Sequence, residues 1–334
     1  MLLSIIIPHY NLQKELLERC IESIIGQGLP NDCYEIIVVD DASDNAPMWV
    51  ESHYPGINIS CIVTGHGGPG AARNKGMEVA KGKYIQFVDA DDMLMPGSSI
   101  SQCLDTIQKE WPQILRFNYQ VRKSPDKPFH KEKKGPRFSN TISGAAYMRD
   151  KNLSGSPCTY FFLRELAIRK NIRFPENTFH EDEEFNTILH YHAQSLIYSN
   201  AVLYCYCTRQ GSTTTNSSPE FEKRRIDDLL DAITRLKEFG DLNKESMNST
   251  QKRGFEHKFT MLTVDAIINM MRTGMKTKSI LEKCDERLAP IGAYPLPRAS
   301  YSVKYRIFRL FTNCKTGMHL LRLFIPRVKK ITKK

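Results

Sequence analysis

Hydrophobic positions in the first part of the chain follow two alternating rhythms. Leu3–Pro8 is a continuous apolar run, which predicts a strand buried on both faces. Leu16, Leu17, Cys20, Ile21, Ile24 and Ile25 recur at three- and four-residue spacing, which predicts a helix over residues 14–27. The same reading places strands at Glu35–Asp40, Ile57–Val63 and Lys83–Val88, and a helix at Ala71–Ala80. Strands alternating with helices predict an α/β fold whose sheet is mostly parallel and flanked by crossover helices.

Farther along, lysines and prolines over residues 122–136 predict a surface loop or hairpin. Helical spacing is expected at 141–150, 162–171 and His180–His192, and two short strands within Leu196–Cys207 that meet at Ser199-Asn200. The run Ser212–Ser218 is made of Ser, Thr and Asn and marks a boundary near 215. Beyond it the pattern is helical, with breaks expected near 240–248, 273–277 and 289–300. The expected organisation is an α/β domain over 1–215, a helical region over 216–300 and a tail over 301–334.

Length agrees with this division, since the chain has 334 residues and one core stops growing at about 250–300. Hydrophobic residues at 41% and charged residues at 25% exclude a wholly disordered or collagen-like chain. The net charge is +10, from 47 basic and 37 acidic side chains. Residues 301–334 hold ten basic side chains and no acidic one, which equals the whole excess. Residues 1–300 are therefore balanced, which argues against a nucleic-acid partner and moves the question of an anionic partner to the tail. Nine cysteines, an odd number with no CxxC pair, argue against a disulfide framework or zinc ribbon and point to a reducing compartment. The first apolar run is too short for a signal peptide, and no run reaches about 18 apolar residues, so no membrane-crossing helix is expected.

Ligands of an open parallel sheet bind beyond the carboxyl ends of its strands. Those ends read Pro8-His9-Tyr10-Asn11, Asp40-Asp41-Ala42-Ser43-Asp44 and Asp89-Ala90-Asp91-Asp92. Helix capping accounts for an acid such as Asp44. It does not account for three acids packed after Tyr84–Val88, which repel one another unless a cation is present. An Asp-x-Asp there suits Mg²⁺ or Mn²⁺, hard cations that leave positions open for phosphate oxygens. Gly65-His66-Gly67-Gly68-Pro69-Gly70 formally fits the dinucleotide fingerprint G-x-G-x-x-G. It follows the third strand rather than the first, and Pro69 is expected to interrupt the turn, which disfavours a dehydrogenase. The loop instead lets the chain approach a ligand. Arg73 on the helix behind it either pairs with phosphate or is an ordinary surface arginine.

Five ordered blocks resemble the inverting glycosyltransferases of family 2, which have the GT-A (Rossmann-like) fold. They are Ser4–Asn11, Glu35–Asp44, Gly70–Gly76, Gly82–Asp92 and His180–Phe185, and they span about residues 2–215. The resemblance implies a floor for uridine at Pro8 and Tyr10, a partner for the base edge at Asp41 and a diphosphate contact at Arg73. Asp89 and Asp91 match the family's Asp-x-Asp, with Asp91 as metal ligand and Asp89 at the ribose or a metal-bound water. Asp182 matches the catalytic base, and Arg209 the segment that closes over the donor. Asp92 receives no role. Cys205 and Cys207 share one face of a strand and read as core cysteines.

Elementary chemistry agrees with these roles. A leaving diphosphate needs neutralisation by a metal and an arginine, and an attacking hydroxyl needs a base such as a carboxylate. One base opposite the leaving group implies inversion. A bland alternative is that Asp182, with His180, Glu181, Glu183 and Glu184, only starts a helix in the favourable field of its dipole. The resemblance implies a nucleotide-sugar donor, a UDP-sugar by expectation, and a glycan or lipid-linked acceptor in capsule, exopolysaccharide or lipopolysaccharide synthesis. Two other classes stand beside it: a sugar nucleotidyltransferase, whose Gly-rich loop should follow the first strand, and a non-catalytic nucleic-acid or membrane-binding protein. In the tail, Tyr301, Val303, Tyr305, Ile307, Phe308, Leu310 and Phe311 alternate with Lys304, Arg306 and Arg309. Such a helix suits an anionic membrane surface or packs its apolar side on the catalytic domain. The expected location is cytoplasmic, peripheral on the inner face of the membrane.

Overall fold

The computed structural model describes residues 1–122, 135–151, 153, 155–208 and 218–331. Most of the segment read as a loop or hairpin, Arg209 and most of the Ser/Thr/Asn run lie outside the described residues. The chain forms two compact units, Met1–Tyr147 with Ser154–Thr215, and Met148–Leu153 with Asn216–Lys334.

The first unit opens with β1 (Leu3–His9), α1 (Lys14–Ile25), β2 (Tyr34–Asp40), α2 (Val50–His53), β3 (Ile59–Val63), α3 (Gly68–Val79) and β4 (Tyr84–Phe87). It continues with β5 (Met93–Leu94), α4 (Ile100–Glu110), β6 (Ile114–Arg122), α5 (Gly144–Asp150, from Met148 on counted with the second unit), β7 (Tyr160–Leu163), α6 (Arg164–Arg169), α7 (Glu181–His192) and β8 (Leu196–Cys207). One sheet runs β3-β2-β1-β4-β7-β6-β8-β5. Pairing is parallel for β3/β2, β2/β1, β1/β4 and β6/β8, and antiparallel for β4/β7, β7/β6 and β8/β5. The sheet is thus mixed, with its parallel half at the amino-terminal end where the pattern predicted it.

β1 and β2 are continuous apolar runs because both of their faces are covered. α3 lies so close to β1 that a Cβ on Gly76 would sit 2.3 Å from Cγ2 of Ile6. Below them, buried Glu35 accepts hydrogen bonds from Ser4 Oγ at 2.6 Å and from the Lys81 amide at 2.6 Å. Those bonds account for an acid inside an apolar strand.

Two expectations need correction. Leu196–Cys207 is one strand rather than two, and its register against β6 shifts between Arg116 and Asn118, beside Ser199-Asn200. Backbone polar groups there stay paired across an irregularity, so the strand bends without ending. The helix expected over 162–171 covers only Arg164–Arg169, because Tyr160, Phe161 and Phe162 are fully buried in β7. Aromatic residues fit a two-sided buried strand better than a short surface helix.

The second unit contains α8 (Pro219–Asn243), α9 (Ser249–Arg272), α10 (Thr277–Lys283), α11 (Val303–Thr312) and α12 (Lys315–Ile331). Asn248 and Gln251 form a reciprocal capping box at the start of α9. The breaks between these helices fall where the pattern loses its period.

Candidate active site

β1, β2 and β4 end on the same edge of the sheet, so their carboxyl-terminal loops converge. The first two loops are tied by a buried cluster. His9 Nδ1 lies 2.7 Å from Asp40 Oδ1, Ser43 Oγ donates to Asp40 Oδ1 at 2.6 Å, and the Asn11 amide donates to Ser43 Oγ at 2.8 Å. Asn11 and Ala42 sit at φ 41° and 60°, the left-handed region, which lets each strand turn sharply into its loop.

Asp41, the next residue, reaches the Gly-rich loop. Its carboxylate accepts the Gly67 amide at 2.7 Å and the Gly68 amide at 2.9 Å, and lies 3.0 Å from His66 Nδ1. The imidazole of His66 is 4.6 Å from the ring of half-exposed Tyr10. Pro8 stands at the end of β1, opposite Val39. Tyr10, Asp41 and the glycine loop are thereby gathered at one place. Pro69 does not interrupt this turn: it lies in the first turn of α3, where proline is pre-organised and its missing N–H has no cost.

Within α3, Gly70, Arg73, Asn74 and Gly76 of the block Gly70–Gly76 each meet a specific neighbour. A Cβ on Gly70 would stand 2.5 Å from the carbonyl oxygen of Pro175. Asn74 Nδ2 donates to the Phe174 carbonyl at 2.9 Å, and its Oδ1 accepts the Phe174 amide at 2.9 Å. These contacts seat residues 174–177 on the start of α3 and lead the chain into α7. Arg73 completes the junction. Its Nη1 donates to Glu181 Oε1 at 2.8 Å and its Nη2 to Asp89 Oδ1 at 2.9 Å. The guanidinium is 5% exposed and lies 5.4 Å from the ring centre of Phe174, which stacks on Phe185 at 3.8 Å. Burial alone would lower its pKa, but the carboxylates of Asp89 and Glu181 outweigh that and raise it above the ordinary value. Arg73 is therefore no ordinary surface arginine. It joins the Asp-x-Asp loop to the start of α7.

The three acids after β4 have different surroundings. Asp89 is partly exposed and paired with Arg73. Asp92 is buried, accepts the Cys207 amide at 2.7 Å and the Tyr204 hydroxyl, and so latches the loop to β8. Burial, with the charge of Asp89 adding, pushes its carboxyl up to about 8 against those hydrogen bonds. Burial and the neighbouring charge thus favour the protonated form of Asp92, while its two hydrogen bonds favour the charged one. Asp91 receives the Arg19 guanidinium at its backbone carbonyl. Among the described residues no group of three or more His, Cys, Asp or Glu is arranged to hold a metal ion. Asp89 and Asp91 are the other two acids of the loop after β4, and carboxylate oxygens are the donor type that Mg²⁺ or Mn²⁺ takes together with phosphate oxygens.

α7 begins at His180, whose φ of 63° turns the chain sharply, and its first turn carries Glu181, Asp182, Glu183 and Glu184. Acids there are favoured by the helix dipole. Gly155 lies against them, since a Cβ there would be 2.4 Å from Glu183 Oε1 and 3.2 Å from Asp182 Oδ2. Asn186, one turn on, donates to the Gly155 carbonyl and accepts from the Tyr160 hydroxyl, which fixes that approach. Of the residues singled out in the sequence, Pro8, Tyr10, Asp41, Arg73, Asp89, Asp91 and Asp182 lie on these loops and helix starts, and Arg209 lies outside the described residues. Glu181 and Asp92 were not assigned there, because their partners are 108 and 112 residues away. Cys205 is buried as expected, while Cys207 is only half-buried, with the two sulfurs 3.9 Å apart. A separate cleft of about 270 Å³ lies beside Met77, Ile85, Ala167 and Ile172 and contains none of the acids after β4 or at the start of α7.

Comparison with known proteins adds a family and a fold. The family model Glycosyl transferase family 2 matches residues 4–171. A poly(ribitol-phosphate) beta-glucosyltransferase of Bacillus spizizenii is 40% identical over 98 residues, 28% of this chain and 15% of that protein. The uncharacterized glycosyltransferase YibD of Escherichia coli is 28% identical over 259 residues, 70% of this chain and 71% of that protein. The chain thus spans most of the length of the second relative and only a small part of the first. The crystal structure of Staphylococcus aureus TarS 1–349 superposes with a TM-score of 0.67 at 17% identity, covering 99% of this chain and 92% of that one. A complex of the same protein with UDP-GlcNAc superposes at 0.57 and 19% identity, covering 88% of this chain and 89% of that one.

Proposed function

The chain belongs to glycosyl transferase family 2, and from that premise we propose that it transfers a sugar from a nucleotide donor to a hydroxyl of a glycan or lipid-linked glycan, with inversion. The observation that carries this reading is the Arg73 bridge, which joins Asp89, in the loop after β4, and Glu181, at the start of α7, through one guanidinium.

The donor we assign is a UDP-sugar, in line with the UDP-GlcNAc bound by the TarS structure of like fold. Tyr10 and His66 offer ring surface to the base, and Asp41 holds the loop against it. Asp89, fixed by Arg73, takes the ribose or diphosphate side. A Mg²⁺ or Mn²⁺ held by Asp91 with Asp89 would supply neutralising charge for the leaving diphosphate. Arg73 adds positive charge beside Asp89, and the family resemblance assigns Arg209 to the segment that closes over the donor. Asp182 accepts the acceptor hydroxyl's proton while the oxygen bonds to the anomeric carbon and the bond to the diphosphate breaks. A single displacement inverts that carbon. The acceptor class we assign is a surface polysaccharide or its lipid-linked precursor, handled at the cytoplasmic face of a membrane. Poly(ribitol-phosphate) polymers are the acceptors named for two relatives.

The test is a panel of nucleotide sugars assayed for hydrolysis and transfer with and without Mn²⁺. A UDP-sugar should be consumed in preference to a GDP-sugar, and the product anomer, read from proton NMR couplings, should be inverted. Asp91→Asn should abolish the stimulation by Mn²⁺ with an unchanged melting temperature. A retained anomer, or full metal stimulation in that variant, would refute the assignment.

A further inference from the structure

Helices α11 and α12 bury only one side each. In α11, Tyr305 and Thr312 face inward, and the Tyr305 hydroxyl donates to the Pro297 carbonyl at 2.6 Å. The opposite side carries Val303, Ile307, Leu310 and Phe311, exposed by 61%, 52%, 64% and 38%. Their spacing puts them on one stripe of about 100°, with Lys304 on one border and Arg306 on the other. Both of those bases are exposed. In α12, Met318 is buried, while Leu320, Leu323 and Phe324 are exposed. Lys315 is exposed at its start.

The structure also sorts the bases. Arg309 Nε donates to the Leu296 carbonyl at 3.1 Å. Arg322 Nε donates to the Met275 carbonyl at 2.6 Å. These two hold the helices to their own unit. Lys304, Arg306 and Lys315 do not share that use, and no acidic residue occurs from 301 to 334 to offset them.

We propose that this exposed face of α11 and α12 is a docking surface for an anionic lipid bilayer, with Val303, Ile307, Leu310, Phe311, Leu323 and Phe324 entering the headgroup boundary. The flanking cations select the partner. A second copy of the same face would set like charges against each other, whereas anionic headgroups complement them. Among the described residues no helix is long and apolar enough to cross a membrane, so contact is in the interface plane. Removing the whole segment is a poor probe, since Tyr305, Thr312 and Met318 are buried; exposed point positions are better. The proposal needs no part of the donor reading, and each can fail alone.

The experiment is flotation of the full chain with phosphatidylcholine vesicles, with and without phosphatidylglycerol, at low and high salt. Flotation should require the anionic lipid and fall steeply with salt. Lys304→Glu with Arg306→Glu, and separately Leu310→Ser with Phe324→Ser, should each lower the bound fraction constant by about tenfold or more. Lys304→Arg with Arg306→Lys should bind as wild type, and melting temperatures should be unchanged throughout. Absence of flotation, full flotation of the serine variant, or a dimer in solution that the serine variant dissociates without altering flotation would each overturn the proposal.

Discussion

Glu181→Gln removes one of the two negative charges on Arg73 and keeps the shape of the side chain. The Glu181 side chain is 11% exposed and that of Arg73 6%, so water screens the pair weakly. At 2.8 Å and an effective dielectric of about 20, the gross attraction is about 6 kcal/mol. Much of it is offset because neutral Gln is easier to bury, and Asp89 still pairs with Arg73. A net loss of about 1–3 kcal/mol is expected. Scanning calorimetry or fluorescence melting should show this as a fall of roughly 3–9 °C. The comparison is Glu165→Gln, whose partner Arg169 lies 3.4 Å away with both side chains largely exposed. That change should stay within about 0.5 kcal/mol. Loosening the start of α7 should also slow turnover about tenfold, since Asp182, the proposed base, is the next residue and small displacements of a reacting group are costly. Equal melting temperatures for the two variants would show that Arg73 does not bind the loops together.

Asp182→Asn should lower turnover by about a hundredfold or more while calorimetric donor affinity stays near wild type; joint loss of affinity would make Asp182 a donor contact instead. Gly76→Ala should destabilise by about 1–2 kcal/mol, because overpacking against Ile6 outweighs the gain in helix propensity. Denaturant titration checks this, and Ile6→Val should recover part of the loss. His192 is held down to about 4 by burial, with Lys170 adding to it, so the unfolded chain takes up a proton more readily than the folded one. Its contribution to stability is complete above the ordinary histidine value of about 6.5 and is lost as pH falls from there through about 4. His192→Gln should flatten denaturation midpoints over that window, and an unchanged slope would remove His192 as the cause.

The elements most legible in the sequence were those whose own side chains decide them. β1 and β2 hold runs of consecutive apolar residues, Ile5–Ile7 and Ile36–Val39, that a strand covered on both faces buries, and α8 and α9 keep a helical period through two dozen residues each. The loops after β1, β2 and β4 were legible because strand polarity puts chemistry at one edge of a parallel sheet, and their acids and aromatics stand out there. The blocks of family resemblance add order and spacing, which local patterning lacks.

What the sequence left open depended on partners far along the chain. Arg73 reads equally as a surface base or a phosphate contact until Glu181, 108 residues on, is placed at its Nη1. Asp92 reads as one of three repelling acids until the fold buries it and gives both of its oxygens hydrogen-bond donors from β8, Tyr204 and the Cys207 amide. Leu196–Cys207 reads as two strands because the break at Ser199-Asn200 is local, while the β6 ladder that carries the strand across it is not. The more apolar stripe of α11 would be read from sequence as its inward side, and only packing decides that Tyr305 and Thr312 face inward and Leu310 faces water. Charge state and exposure are set by neighbours in space, and a linear pattern specifies neighbours only within a turn or a ladder step.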